Sequence, residues 1–183
     1  MAAAQGRQIP IVCPGHTRPL AEIQFCTIDE PDEKRTLLVS ACHDKNPMLR
    51  DATTGDWIGT FSGHKGAVWS CKFDPAGYLA GTASGDFSVQ VWDAITGKSL
   101  YSFPHKHVVK TLDWSMDSKR LATGGHEGIL RVFDITKPKK EPLEFVQSTK
   151  EVRLSCDFMC VVEIICIMNL SFLSHTILCL TMI

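Results

Sequence analysis

Three sets of residues in this 183-residue chain have types and spacings that chemistry could use. His105 and His107 precede Asp113, and His126 adjoins Glu127, which suggests imidazole–carboxylate pairs for general acid–base work. Cys13, Cys26, Cys42, Cys71, Cys156, Cys160, Cys166 and Cys179 are potential nucleophiles or ligands, yet they form no C-x-x-C and have no histidine at zinc spacing. They read as buried or reduced thiols. The third set is His64, Thr82, Asp86 and Trp92, and it recurs. Moved forward by 41 residues it falls on His105, Thr123, Glu127 and Phe133; moved back by 42 its last three members fall on Ser40, Asp44 and Arg50, with His16 six residues further back than the period allows. Repetition at a fixed place marks scaffolding rather than a reaction centre, and it absorbs the histidines of the first set. No phosphate loop, nucleophile elbow or H-E-x-x-H motif is present. The chain is therefore expected to be no enzyme, with no catalytic residue, no cofactor and no metal.

The elements that position these residues are short strands. From Gly63 to Asp93 the chain opens on Gly-His and closes on Trp-Asp, with apolar alternating runs separated by Asp74-Pro75-Ala76-Gly77 and Ser84-Gly85-Asp86 turn signals. The same reading places strands at about 20–25, 37–42, 47–51 and 57–61, then 67–73, 78–83, 88–92 and 99–103, then 108–114, 119–124, 129–133 and 143–146. Thr54-Gly55 and Thr96-Gly97 supply equivalent reversals before an outer strand. The extra residues of the first unit are expected as a longer loop over Thr27 to Arg35, and Ile9 to Cys13 as an outer strand of the kind that closes a ring.

A period in the low forties with Gly-His and Trp-Asp marks resembles the WD40 repeat, which implies an all-β β-propeller of four-stranded blades. The repeats fall at about 15–61, 63–103 and 104–146, giving an N-terminal unit over 1–146 and a divergent segment over 147–183. The resemblance further implies a hydrogen-bonded chain in which Trp92 bonds Thr82, Thr82 bonds His64, and His64 bonds Asp86. The third copy keeps His105 and Thr123 but ends in Phe133, so its network is broken at the aromatic end. The first keeps His16, Ser40 and Asp44 but has Arg50 where an aromatic is expected.

Closer likeness comes from Lys45 to Arg50, from Thr54 to Phe61, from Gly63 to Trp69, from His105 to Thr111 and from Leu121 to Gly125. These runs resemble the serine/threonine-kinase-receptor-associated family of WD40 proteins, down to Arg50 in place of tryptophan. The resemblance covers about residues 8 to 146, three of the seven blades that the family has, and the chain reads as a partial propeller. It implies a non-enzymatic scaffold of cytoplasm and nucleus that works with SMN-complex components in spliceosomal snRNP assembly and with receptor kinases of the TGF-β type, reaching RNA only through such complexes. Lys65, Trp69, Lys106, Lys110 and Glu127 are candidate partner-binding residues by loop position. The alternative within the repeat class is the WD40 subunit of translation initiation factor three.

Composition excludes some partners. The formal net charge is −1, which divides as +1 up to residue 150 (18 basic, 17 acidic) and −2 beyond it (1 basic, 3 acidic). No chain-wide field for nucleic acid or membrane follows. The segment after Pro142 lacks a fourth Gly-His or Trp-Asp mark, and from Ile164 to Ile183 it has no Asp, Glu, Lys or Arg. It is expected as sequence that replaces further propeller, with a C-terminal membrane anchor as the alternative. Three blades cannot close a ring, so the outer faces of the first and third copies should present apolar surface.

Overall fold

The structure is a computed structural model and describes residues 10–29 and 34–146. Twelve strands follow one another in three antiparallel meanders. The first sheet is β1 (Leu20–Asp29), β2 (Lys34–Cys42), β3 (Met48–Asp51) and β4 (Trp57–Thr60). The second is β5 (Val68–Phe73), β6 (Leu79–Ser84), β7 (Ser88–Asp93) and β8 (Ser99–Pro104), and the third is β9 (Val109–Trp114), β10 (Arg120–Gly125), β11 (Ile129–Asp134) and β12 (Leu143–Val146). In each sheet the strands pair in chain order, the arrangement of a propeller blade. No helix among the described residues is long and apolar enough to cross a membrane. The segment 147–183, with the alternative of an anchor at 164–183 and the four C-terminal cysteines, lies outside the described residues.

Alternation along the strands divides the second sheet between two cores. On the second sheet Ala80 and Trp92 face the first sheet, where they pack with Val39, Ala41, Leu49 and Phe61. Their neighbours Ala83, Val89 and Val91 point the other way and pack with Leu112, Trp114, Leu121 and Phe133 of the third sheet. Because both faces are covered, β6 reads as a nearly continuous buried run from Ala80 to Ser84. Burying each of these large side chains contributes about 1.5–3 kcal/mol. On the first sheet, by contrast, Ile23 and Phe25 stand where Cys71 and Phe73 stand on the second, and they are 51% and 60% exposed. This is the face that a preceding blade would cover.

Polar side chains clamp the sheets where backbone pairing stops. Glu22 on β1 accepts hydrogen bonds from the Ser70 hydroxyl and the Cys71 amide, at 2.6 and 3.0 Å, and it pairs with Lys72 at 3.1 Å. Gln24 accepts from the Phe73 amide at 2.6 Å, and the Trp114 indole donates to the Lys72 carbonyl at 3.1 Å. These bonds satisfy amides on the inner edge of β5 and the third sheet's tryptophan without another strand.

Two expectations are corrected. The surplus over Thr27 to Arg35 is not a long loop: β1 and β2 continue as a ladder that pairs Thr27 with Thr36, Ile28 with Arg35 and Asp29 with Lys34. β-Branched Thr27, Ile28 and Thr36 suit a pleated hairpin, which outweighs the charges around them. Residues 10–13 form no strand. Ile11 and Cys13 instead lie against Gly55, and the Pro14 carbonyl is taken by Arg50, so this segment is held by a turn and a side chain rather than a ladder. The Asp that ends the third strand of a sheet has a local reason. Asp51 and Asp93 accept from the amides two and three residues further on, Thr53 and Thr54 in one case and Ile95 and Thr96 in the other. Gly55 and Gly97 then reverse the chain at φ of 82° and 70°.

Replacing Glu22 by Ala leaves the buried Ser70 hydroxyl and the Cys71 amide without an acceptor. The unfolding free energy is expected to fall by about 1–3 kcal/mol, and by less in Glu22→Gln, which keeps an acceptor oxygen. Urea titration of the three proteins checks this; equal stability of Glu22→Ala and wild type would contradict the clamp.

Candidate functional site

The turns between the second and third strands of each sheet, and the loops leading into β1, β5 and β9, meet at one end of the sheets. In the second sheet four side chains join there. The Trp92 indole donates to Thr82 Oγ1 at 2.8 Å, Thr82 Oγ1 lies 2.7 Å from His64 Nε2, and His64 Nδ1 lies 2.9 Å from Asp86 Oδ2. A carboxylate only accepts, so Nδ1 carries the proton and Nε2 accepts from the Thr82 hydroxyl. Proton donation thus runs in one direction, from Trp92 to Thr82 to His64 to Asp86. Asp86 also accepts from the Lys65 amide at 2.8 Å and the Ser88 hydroxyl at 2.7 Å. Burial would raise its carboxyl, but the bonds from Ser88, Lys65 and His64 outweigh that and hold it at about 2. Burial lowers His64 against the opposing pull of Asp86. Gly66 completes the junction: a Cβ there would stand 2.5 Å from the Asp86 amide nitrogen.

The first sheet repeats the chain with substitutions. His16 Nδ1 lies 2.8 Å from Asp44 and its Nε2 lies 2.8 Å from Ser40 Oγ. Arg50, in the place of Trp92, is buried and reaches the Gly55 carbonyl at 3.0 Å and the Pro14 carbonyl, tying the incoming loop directly to the sheet, where the indole next door bonds Thr82 instead. His16, Cys42 and Asp44 lie close enough together to hold a metal. Their donor atoms are committed, however. Both imidazole nitrogens are bonded, and Cys42 Sγ lies 3.1 Å from the Arg18 carbonyl, as the Ser84 hydroxyl bonds Gly66 and Ala67 carbonyls in the second sheet. Burial pushes the Cys42 thiol up, away from the thiolate a metal requires.

The third sheet departs further than its aromatic end. His105 Nε2 lies 2.9 Å from Thr123 Oγ1, but Nδ1 turns to the Phe103 carbonyl at 3.1 Å instead of the acid. Glu127 accepts from the amides of Lys106 and His107 and from Arg131 at 2.6 Å, and Arg131 also pairs with Glu144 at 2.6 Å. With both its nitrogens engaged, His105 forms no acid–base pair with Asp113. Glu127 turns inward, and its side chain is largely buried. Arg131, which occupies the place of Gln90, escaped the sequence reading because no mark of the repeat falls there.

Lys65 and Lys106 are exposed at this end, and Lys110 Nζ lies 4.9 Å from the centroid of the half-buried Trp69 ring. His43, not singled out from sequence, packs on the same tryptophan with ring centroids 4.4 Å apart. Its Nε2 is buried without a hydrogen-bond partner among the described residues.

The depressed histidines set a pH dependence. Burial lowers both His64 and His105, so the unfolded chain takes up protons that the folded chain refuses. Their stabilisation is complete above the unfolded value of about 6.5 and declines as pH falls through it toward the lower folded values. Asp86 adds a loss only between about 4 and about 2. The Tm is expected to fall from about pH 7.5 to about pH 5, with a shallower slope in His64→Gln. A Tm independent of pH across that window, read by circular dichroism, would contradict the buried neutral imidazoles.

The repeats match the family model described as WD domain, G-beta repeat, over residues 55–93 and 97–134. Over 147 residues, 80% of this chain, the sequence is 46% identical to the serine-threonine kinase receptor-associated protein of Homo sapiens, of which it spans 41%. It is 42% identical over 144 residues to the protein of that name from Dictyostelium discoideum, covering 79% of this chain and 48% of the relative. Eukaryotic translation initiation factor 3 subunit I of Pyricularia oryzae is 31% identical over 131 residues, covering 69% of this chain and 37% of the relative. The chain therefore spans less than half the length of these relatives. The chain thus carries WD40 repeats on three four-stranded meanders and is similar to the serine-threonine kinase receptor-associated proteins.

Proposed function

We propose that this chain is a non-enzymatic docking scaffold that joins SMN-complex components during spliceosomal snRNP assembly and associates with receptor kinases of the TGF-β type, in cytoplasm and nucleus. The WD40 repeats support a protein–protein scaffold. The name of these relatives, kinase receptor-associated, supports one class of partner, and identities of 46% and 42% against 31% for the initiation-factor subunit favour this reading over the translational one. The observation that carries it is the state of the polar groups at the loop end. His16, His64 and His105 each have both ring nitrogens bonded within the sheet, so the residues that could move protons hold loops instead. What faces outward is adhesive: lysines, an aromatic ring and backbone loops on a rigid sheet frame. RNA is reached through protein partners in this reading.

A tagged 183-residue chain recovered from the soluble and membrane fractions of a cell lysate tests the proposal. SMN-complex components and receptor kinases are expected to copurify from the soluble fraction. Copurification of initiation-factor subunits in their place, or of neither set, would overturn it.

A further inference from the structure

All six histidines among the described residues, His16, His43, His64, His105, His107 and His126, lie at the loop end of the sheets. The same loops carry exposed Arg18, Lys45, Lys65 and Lys106, and Lys110 stands beside them at the start of β9. Their acidic residues are Asp44, Asp86 and Glu127, one for each sheet, and every one is turned inward. Asp44 is bonded to His16 and the Thr17 and Asn46 amides, Asp86 to His64, Ser88 and the Lys65 amide, and Glu127 to Arg131 and the Lys106 and His107 amides. Their side chains are 8%, 13% and 10% exposed. The bonds that shape the loops therefore bury the negative charge of this end and leave its positive charge outside, although the whole chain is formally −1.

We propose that this end docks an acidic peptide segment of a protein partner, with Lys65, Lys106 and Lys110 meeting its carboxylates around Trp69. The proposal deepens the scaffold reading and rests on it. Charge complementarity selects the sign of the partner. The aromatic groups select peptide over RNA: the Trp69 ring already carries His43 at 4.4 Å and Lys110 at 4.9 Å, and Phe87 lies 5.6 Å from His107, so the rings are engaged by cationic or titratable side chains rather than open for base stacking. His43 Nε2, which with Arg131 Nη1 is one of two buried side-chain polar atoms left without a hydrogen bond among the described residues, lies in the same cluster.

Fluorescence anisotropy on the full 183-residue chain tests this with a short Asp- and Glu-rich peptide, its Asn and Gln counterpart, and a single-stranded oligouridylate of similar length. The acidic peptide alone is expected to bind, more weakly as salt rises. Lys65→Glu with Lys106→Glu should weaken it at least about tenfold while leaving the melting curve in place. Lys119→Glu with Lys137→Glu, at the opposite end of the sheets, should not. Oligouridylate binding as tightly as the peptide, no binding by wild type, or an equal loss in the opposite-end pair would each overturn the proposal. The same variants in the lysate experiment separate the two readings. Partners retained by Lys65→Glu with Lys106→Glu would refute this surface and leave the scaffold standing.

Discussion

The structure depends on a hydroxyl group buried in the middle of a sheet. Thr82 is fully buried, and its oxygen receives the Trp92 indole proton while its own proton goes to His64. Each partner would be an unsatisfied polar atom without the other, at a cost of about 1–3 kcal/mol. Sequence-distant parts of one blade are locked together by this constraint. It joins the strand that carries Trp92, the strand that carries Thr82, the incoming loop that carries His64, and the turn that carries Asp86. The loop end is rigid because a chain of donors with one direction has only one satisfied arrangement.

Its variants show which parts are interchangeable. The indole reaches the incoming loop only through Thr82, which bonds His64, whereas Arg50 in the first sheet bonds that loop directly at the Pro14 carbonyl and the following turn at Gly55. In the third sheet Phe133 keeps the packing, stacking on Phe103 at 4.3 Å, and gives up the hydrogen bond. The acid at the turn is conserved in purpose across the three sheets, since each bonds the amide or amides that follow the loop histidine. That shared purpose has an electrostatic result, because the acids are spent on the frame while the cations of the same loops remain outside.

Much of this was legible in sequence. Period, turn residues and alternation place all twelve strands within a few residues, because each blade repeats one solution to burying two faces. The Thr54-Gly55 and Thr96-Gly97 reversals were legible for the same reason. What the period could not carry was read wrongly or missed. Thr27 to Arg35 has the charges of a loop but the β-branched residues of a hairpin, and pairing outweighs charge there. Ile9 to Cys13 has the composition of a strand, but a strand needs a ladder partner and residues 10–13 have a turn beside them instead. Arg131 and His43 depend on side chains from neighbouring positions or sheets, and their roles appear only when those are brought together.

The most direct measurement of the central claim is a double-mutant cycle on Thr82→Val and Trp92→Phe, read as unfolding free energies. Each replacement leaves a buried polar group of the other residue without its partner, so the losses should not add. The second substitution should cost about 1 kcal/mol less when the first is already present. Losses that add within error would contradict the account, because Thr82 and Trp92 would then contribute independently.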